Sequence, residues 1–325
     1  MRRRTALLSF TLAGLAPASA VLTSAGSASA ASGSSTPAAA GTTSPADSQL
    51  TAPNLSIEAD GVRYAYRRFG DAGSATPPVL FLPHFAANLD AWDPALIDPI
   101  AAKREVILLD NVGIGGSTGT TPRTPTEMAY GVLAFADAMG LKSVDLFGFS
   151  LGGFVAQEVT LIRPQLVRKL VLVGTGPQGG RNMHGFSPEI LALATSDNPS
   201  PDTVVTLFFT DSKASTAAGH AYLQRIFTRT VDRDALVTST ARNAQIDAIT
   251  TWGIPDASRL NRLAGIRQHT LVANGDNDIL VPTPNTYLLA KHLPNATLKI
   301  YRDAGHGSLF QYPEDFAARV NAFLS

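Results

Sequence analysis

The stretch Val144–Gln157, VDLFGFSLGGFVAQ, constrains this chain more than any other. A short apolar run, the length of a buried strand, meets Gly148-Phe149-Ser150-Leu151-Gly152 and passes at once into a helical pattern. A strand that turns directly into a helix around a serine favours glycine two residues to either side, because the backbone bends sharply and the new helix lies close to the strand. The serine hydroxyl is then pushed out into a cleft, and the Leu151 amide, at a helix N-terminus, is placed to donate to an oxyanion. The same five-residue pattern recurs at Gly115-Gly116-Ser117-Thr118-Gly119, but in a different setting. Ser117 lies seven residues past a strand end expected at Asp110 and leads into Thr120-Thr121-Pro122, which cannot begin a helix directly. Ser117 is read as a loop residue and Ser150 as the candidate nucleophile.

At 325 residues with 45% hydrophobic side chains, the chain can build one sizeable α/β domain with an insertion, or two small domains. Its 26 basic and 26 acidic residues balance, and loss of the first thirty residues would leave 23 against 26. That charge favours neither nucleic acid nor an anionic membrane as a partner. The absence of cysteine excludes disulfides, a thiol nucleophile and thiolate metal sites. The six histidines, at 84, 184, 220, 269, 292 and 306, form no H-E-x-x-H and no close pair, so neither metal nor cofactor is expected.

Residues 1–30 read as an export signal: Arg2-Arg3-Arg4, an apolar run from Ala6 to Ala16, and Ala28-Ser29-Ala30 as a cleavage site. The run is too short for a stable membrane span, and the arginines before a mildly apolar stretch fit a twin-arginine route beside the general one. An uncleaved N-terminal anchor is the alternative. Residues 31–53, rich in Ser, Thr, Ala and Pro and without periodicity, are expected to form a disordered tether.

Beyond the tether, the domain is expected to occupy 54–325. Leu55–Ala59 and Val62–Phe69, joined by Asp60-Gly61, predict a hairpin. Strands follow at Val79–Leu82, Glu105–Leu109, Lys142–Phe149, Lys169–Val173, Gln268–Asn274 and Thr297–Tyr301. Between them, Thr124-Pro125-Thr126-Glu127 is a capping box that opens a helix, Leu151–Ile162 is the helix after the serine, and Phe316, Val320, Phe323 and Leu324 mark a closing one. Strands alternating with helices imply an α/β fold: a mostly parallel eight-stranded sheet with helices on both faces. Gly174-Thr175-Gly176-Pro177-Gln178-Gly179 matches a dinucleotide fingerprint, yet Pro177 and Gly180 do not open the helix such a site needs. Residues 181–265 lose the strand pattern and read as a helical cap inserted over the carboxyl edge of the sheet, with turn breaks at Asn198–Pro201 and Ile254-Pro255. An ordinary helical part of the core is the alternative.

A serine needs a base, and the base needs a carboxylate to fix its tautomer. The chain supplies Ser150, then Asp276 and Asp278, then His306, each beyond a strand's carboxyl end. From about Val62 to Leu324 the chain resembles the α/β-hydrolase fold family, through VLFLPHF, DNVGIGGS, GFSLGG, NGDNDILVP and DAGHGSLFQYPEDF. The resemblance implies Ser150 as nucleophile, His306 as base and then acid, and Asp278, the fourth residue of a G-x-x-D turn, as the orienting acid; spacing alone leaves Asp276 open. It also implies an oxyanion hole made by the Leu151 and Phe85 amides. Here the chain departs from the family pattern, with Pro83-His84-Phe85 where many relatives carry His-Gly. His84 is either an extra polar group in the cleft or a structural histidine.

With the export signal of residues 1–30, the resemblance points to an exported serine hydrolase acting on a small-molecule acyl substrate, an ester, thioester or lactone, with the cap expected to form an apolar acyl pocket. A cofactor-free haloperoxidase or perhydrolase activity from the same triad, a lyase that uses the triad as a base, and a binding protein without turnover are the other readings. Ser150 argues against the dehalogenases and epoxide hydrolases of this fold, which place aspartate at that turn. The sequence leaves the oligomeric state open.

Overall fold

The computed structural model describes residues 48–196 and 200–325. The export segment and most of the tether lie outside the described residues. The tether's expected boundary at residue 53 is corrected: Gln49 and Ala52 are buried. Gln49 donates through Nε2 to the carbonyls of Leu89 (2.7 Å) and Trp92 (3.2 Å), while its amide donates to Asp98 (2.7 Å). Hydrogen bonds to the domain, rather than an apolar pattern, order this end.

The strands are β1 (Leu55–Ala59), β2 (Val62–Gly70), β3 (Val79–Leu82), β4 (Glu105–Leu109), β5 (Val144–Phe149), β6 (Val167–Val173), β7 (His269–Gly275) and β8 (Ala296–Tyr301). They form one eight-stranded sheet in the order β1-β2-β4-β3-β5-β6-β7-β8. β1 and β2 are antiparallel, as is β2 with β4, and every later pairing is parallel. The turn between β1 and β2 holds Asp60 and Gly61 at φ of 48° and 74°, the left-handed pair that a two-residue hairpin favours.

The helices are α1 (Pro94–Ala101), α2 (Pro125–Ala138), α3 (Leu151–Ile162), α4 (Pro188–Thr195), α5 (Pro201–Phe208), α6 (Lys213–Ile226), α7 (Ser239–Gly253), α8 (Pro284–His292), α9 (Ser308–Gln311) and α10 (Pro313–Leu324). Thr124 caps α2 by accepting from the Glu127 amide, and its hydroxyl donates to the Glu127 carboxylate at 2.9 Å, so the expected pair forms with the hydroxyl in place of the Thr124 backbone amide.

The period-2 alternation of the strands divides the core between two layers. Val79, Phe81, Phe147 and Phe149 point to one face, where they meet α1 and α10; Leu80, Leu82 and Leu146 point to the other, against α2 and α3. Phe147 stacks on Phe81 with centroids 4.6 Å apart and meets Trp92 edge-on. The stretch between β6 and β7 is helical, carrying α4 to α7 and a 3-10 segment, Ala257–Gly265. Among the described residues no helix is long and apolar enough to cross a membrane.

This topology positions the site. The order β4-β3-β5 reverses the direction in which strands are added, and such a switch opens a crevice outside the carboxyl ends of the strands. Phe85 follows β3 there, Ser150 follows β5, and β7 and β8 deliver Asp278 and His306.

Candidate active site

Ser150 sits between β5 and α3 at φ 55°, ψ −119°, a backbone state unusual for a residue with a side chain. Its amide donates to the Val173 carbonyl (2.9 Å), and its carbonyl accepts from Thr175 Oγ1 (2.9 Å) and from the Gly153 amide (2.8 Å), so the turn is held from both sides. The flanking glycines are required by space. A Cβ at Gly152 would lie 2.1 Å from the Leu82 carbonyl oxygen, and one at Gly148 would lie 2.5 Å from that of Gly152.

His306 is buried, with Nδ1 2.8 Å from Asp278 Oδ2. The other oxygen of Asp278, Oδ1, accepts from the amides of Leu280 (2.8 Å) and Val281 (3.0 Å). A carboxyl group accepting three hydrogen bonds is wired as an anion, so the Nδ1 proton donates to it and Nε2 keeps its lone pair. That is the tautomer a base needs. Asp276, the rival acid, is exposed and accepts instead from the Asn277 side chain and the Ala304 amide. Ser150 and His306 line one cavity. Among the described residues no hydrogen bond joins the two side chains, a bond that commonly tightens only when substrate is present.

Leu151 is the first residue of α3, so its amide lacks an acceptor within the helix. Phe85 lines the cavity. The amide that follows it, Ala86, donates to Gln245 Oε1 (2.9 Å) and is thereby committed elsewhere. Ala86 itself takes φ 56°, a left-handed state that strains a residue with a side chain. His84 lines the cavity, and its Nδ1 donates to the Phe85 carbonyl (2.8 Å) while Nε2 has no hydrogen-bond partner. Burial holds its pKa down to about 3, which favours the neutral ring.

Two sequence decoys resolve into packing. Ser117 is buried, donating to the Asp110 carbonyl and accepting from the Ala65 amide. In the fingerprint-like run, Gly174 takes φ 53°, and a Cβ there would lie 3.2 Å from the His306 ring, so this glycine makes room for the histidine. Among the described residues no three His, Asp or Glu side chains gather as a metal-binding group.

Helices between β6 and β7 wall the site. Phe208, at the end of α5, meets the rings of His306 and His84 edge-on at 5.2 and 5.1 Å, and its carbonyl accepts from the Gly307 amide at 2.7 Å. Thr210 and Ser212 donate to the carboxylate of Asp303, at 2.8 and 2.6 Å. Sequence reasoning placed neither Gln245 nor Phe208 in the site, because no local pattern marks a contact that spans a hundred residues or more.

A model of the α/β hydrolase fold matches residues 77–313. The chain belongs to the α/β hydrolase fold family. Within it, the chain is similar to the dihydrolipoyllysine-residue acetyltransferase component of the acetoin cleaving system of Cupriavidus necator, 30% identical over 82% of this chain and 68% of that protein. It is similar also to the poly(3-hydroxyalkanoate) depolymerase of Ectopseudomonas oleovorans, 31% identical over 76% of this chain and 84% of that one. Among solved structures, an α/β hydrolase fold protein from Chitinophaga pinensis is 38% identical and superposes with a TM-score of 0.81, over 86% of this chain and 99% of the other. As an α/β-fold hydrolase, the chain sets its serine turn, its histidine loop and residues of α4, α5 and α7 around one cavity.

Proposed function

We propose that the chain is an exported serine hydrolase that cleaves a small carboxylic ester, thioester or lactone through an acyl-enzyme. The observation that carries this reading is the 2.8 Å bond from His306 Nδ1 to Asp278, which leaves the other ring nitrogen basic beside a strained, outward-turned Ser150. In the reaction, Ser150 Oγ attacks the acyl carbonyl as its proton passes to His306 Nε2. The Leu151 and Phe85 amides receive the oxyanion. Collapse expels the alcohol or thiol, protonated by His306, and a water activated by the same histidine releases the acid and restores the serine. Asp278 balances the imidazolium that forms in each half.

Export rests on residues 1–30 alone: three arginines, an apolar run and Ala28-Ser29-Ala30.

Labelling with a fluorescent fluorophosphonate tests the serine. The protein lacking residues 1–30 is expected to label and its Ser150→Ala variant to stay dark; a parent protein that does not label would overturn the reading.

A further inference from the structure

The cavity that holds Ser150 and His306 is narrow, about 60 Å³, and fifteen residues line it. Only His84, Ser150 and His306 among them bear polar side-chain atoms, and none of the fifteen is an acid, a lysine or an arginine. The cap supplies much of the wall, with Ile190, Leu191 and Ala194 from α4, Leu207 and Phe208 from α5, and Ile246 from α7.

The charge behind the wall matters as much. Among the described residues, Asp278, buried and 2.8 Å from the His306 ring, carries the only formal charge hydrogen-bonded to a polar side chain of the lining, and it is negative. When His306 takes the serine proton, that pair becomes neutral overall and still offers no cation to a ligand. His84 adds none: its Nδ1 proton is spent on the Phe85 carbonyl, and burial keeps its other nitrogen unprotonated. An anionic group drawn into this space would lose its hydration with no positive partner and would face the field of Asp278.

We infer that the substrate's acyl group is uncharged along its whole length, a monocarboxylic apolar chain, and that the cap wall at α4 rejects acyl groups ending in a second carboxylate. This deepens the proposed function and rests on it. On this reading the chain runs toward α4, where Leu191 lines the cavity, is 39% exposed and belongs to neither core layer, so this position can be altered without touching the core.

The test compares ethyl hexanoate with monoethyl adipate, which matches it in length and adds a terminal carboxylate, by pH-stat at neutral pH on the protein lacking residues 1–30. The neutral ester is expected to be favoured in kcat/KM by roughly a hundredfold or more, given the cost of an unpaired buried charge. Leu191→Arg is expected to lower that ratio at least about tenfold by raising turnover of the adipate ester, as a buried charge pair allows. Ala194→Arg, on the same face, serves should Leu191→Arg fail to fold. A parent ratio within about threefold, or a ratio unmoved in both folded arginine variants, overturns the inference. Calorimetric binding of the two esters to Ser150→Ala separates this from the chemistry. If the parent neither turns over nor labels, the hydrolase reading fails while a binding preference for the neutral ester upholds this one; equal binding sinks it.

Discussion

At the scale of the residue, the two candidate acids are separated by environment rather than by spacing. Asp278 is buried against His306 and two backbone amides, whereas Asp276 is exposed and occupied by its own turn. Asp278→Asn is therefore expected to lower kcat by about 10³- to 10⁴-fold, because an amide can donate to Nδ1 and stabilise the wrong tautomer. Asp276→Asn is expected to change kcat by less than about threefold, in line with a surface substitution. Steady-state kinetics on a neutral ester distinguishes them, and equal losses would assign the acid differently. Ser150 and His306 were legible because each sits in a turn whose glycines announce it. The choice between aspartates two residues apart was not, since a side chain's direction out of an irregular turn depends on which amides it meets there. Gln245 shows the same limit: its bond to the Ala86 amide joins residues 159 apart.

Among the elements, the strands were the most legible, because buried parallel strands read as continuous apolar runs and their helices carry caps and a 3.6-residue period. The boundaries shifted where tertiary contacts decide them. β6 starts at Val167 rather than Lys169, and Ser48–Pro53 joins the domain through Gln49, which no hydrophobic pattern could disclose. The junction between α5 and α6 holds the histidine loop by the Phe208 carbonyl and by Asp303, whose carboxyl is held below its usual range by the Ser212 and Thr210 hydroxyls. Those hydroxyls thus favour the ionised carboxylate of the clasp. Asp303→Ala is expected to lower the melting temperature only slightly, as for lost exposed hydrogen bonds, and to lower kcat roughly fivefold with little change in KM. Melting curves and kinetics together check it; a change in KM alone would place the clasp in binding rather than in alignment.

For the whole molecule, His84 links stability to pH. Its folded pKa, about 3, lies below the ordinary histidine value of 6.5, so the unfolded chain binds a proton that the folded one refuses. Its contribution is fully present above about pH 6.5 and is lost as pH falls toward 3. Asp110 acts in the opposite sense, since burial and the neighbouring Asp234 raise its pKa and favour the folded state as pH drops through that raised range toward the usual carboxyl value. The difference between the parent and His84→Phe isolates the histidine. Between pH 7 and 4 the variant is expected to lose less melting temperature than the parent, and parallel curves would remove His84 from the acid limb. The bond from the Gly307 amide to the Phe208 carbonyl has a consequence for any attempt to exchange one cap for another. A graft that ends before Leu207 can bring new walls to the substrate and leave the histidine its support. One that runs on through Phe208 must carry a carbonyl to the same point in space, or it trades the chemistry away with the pocket.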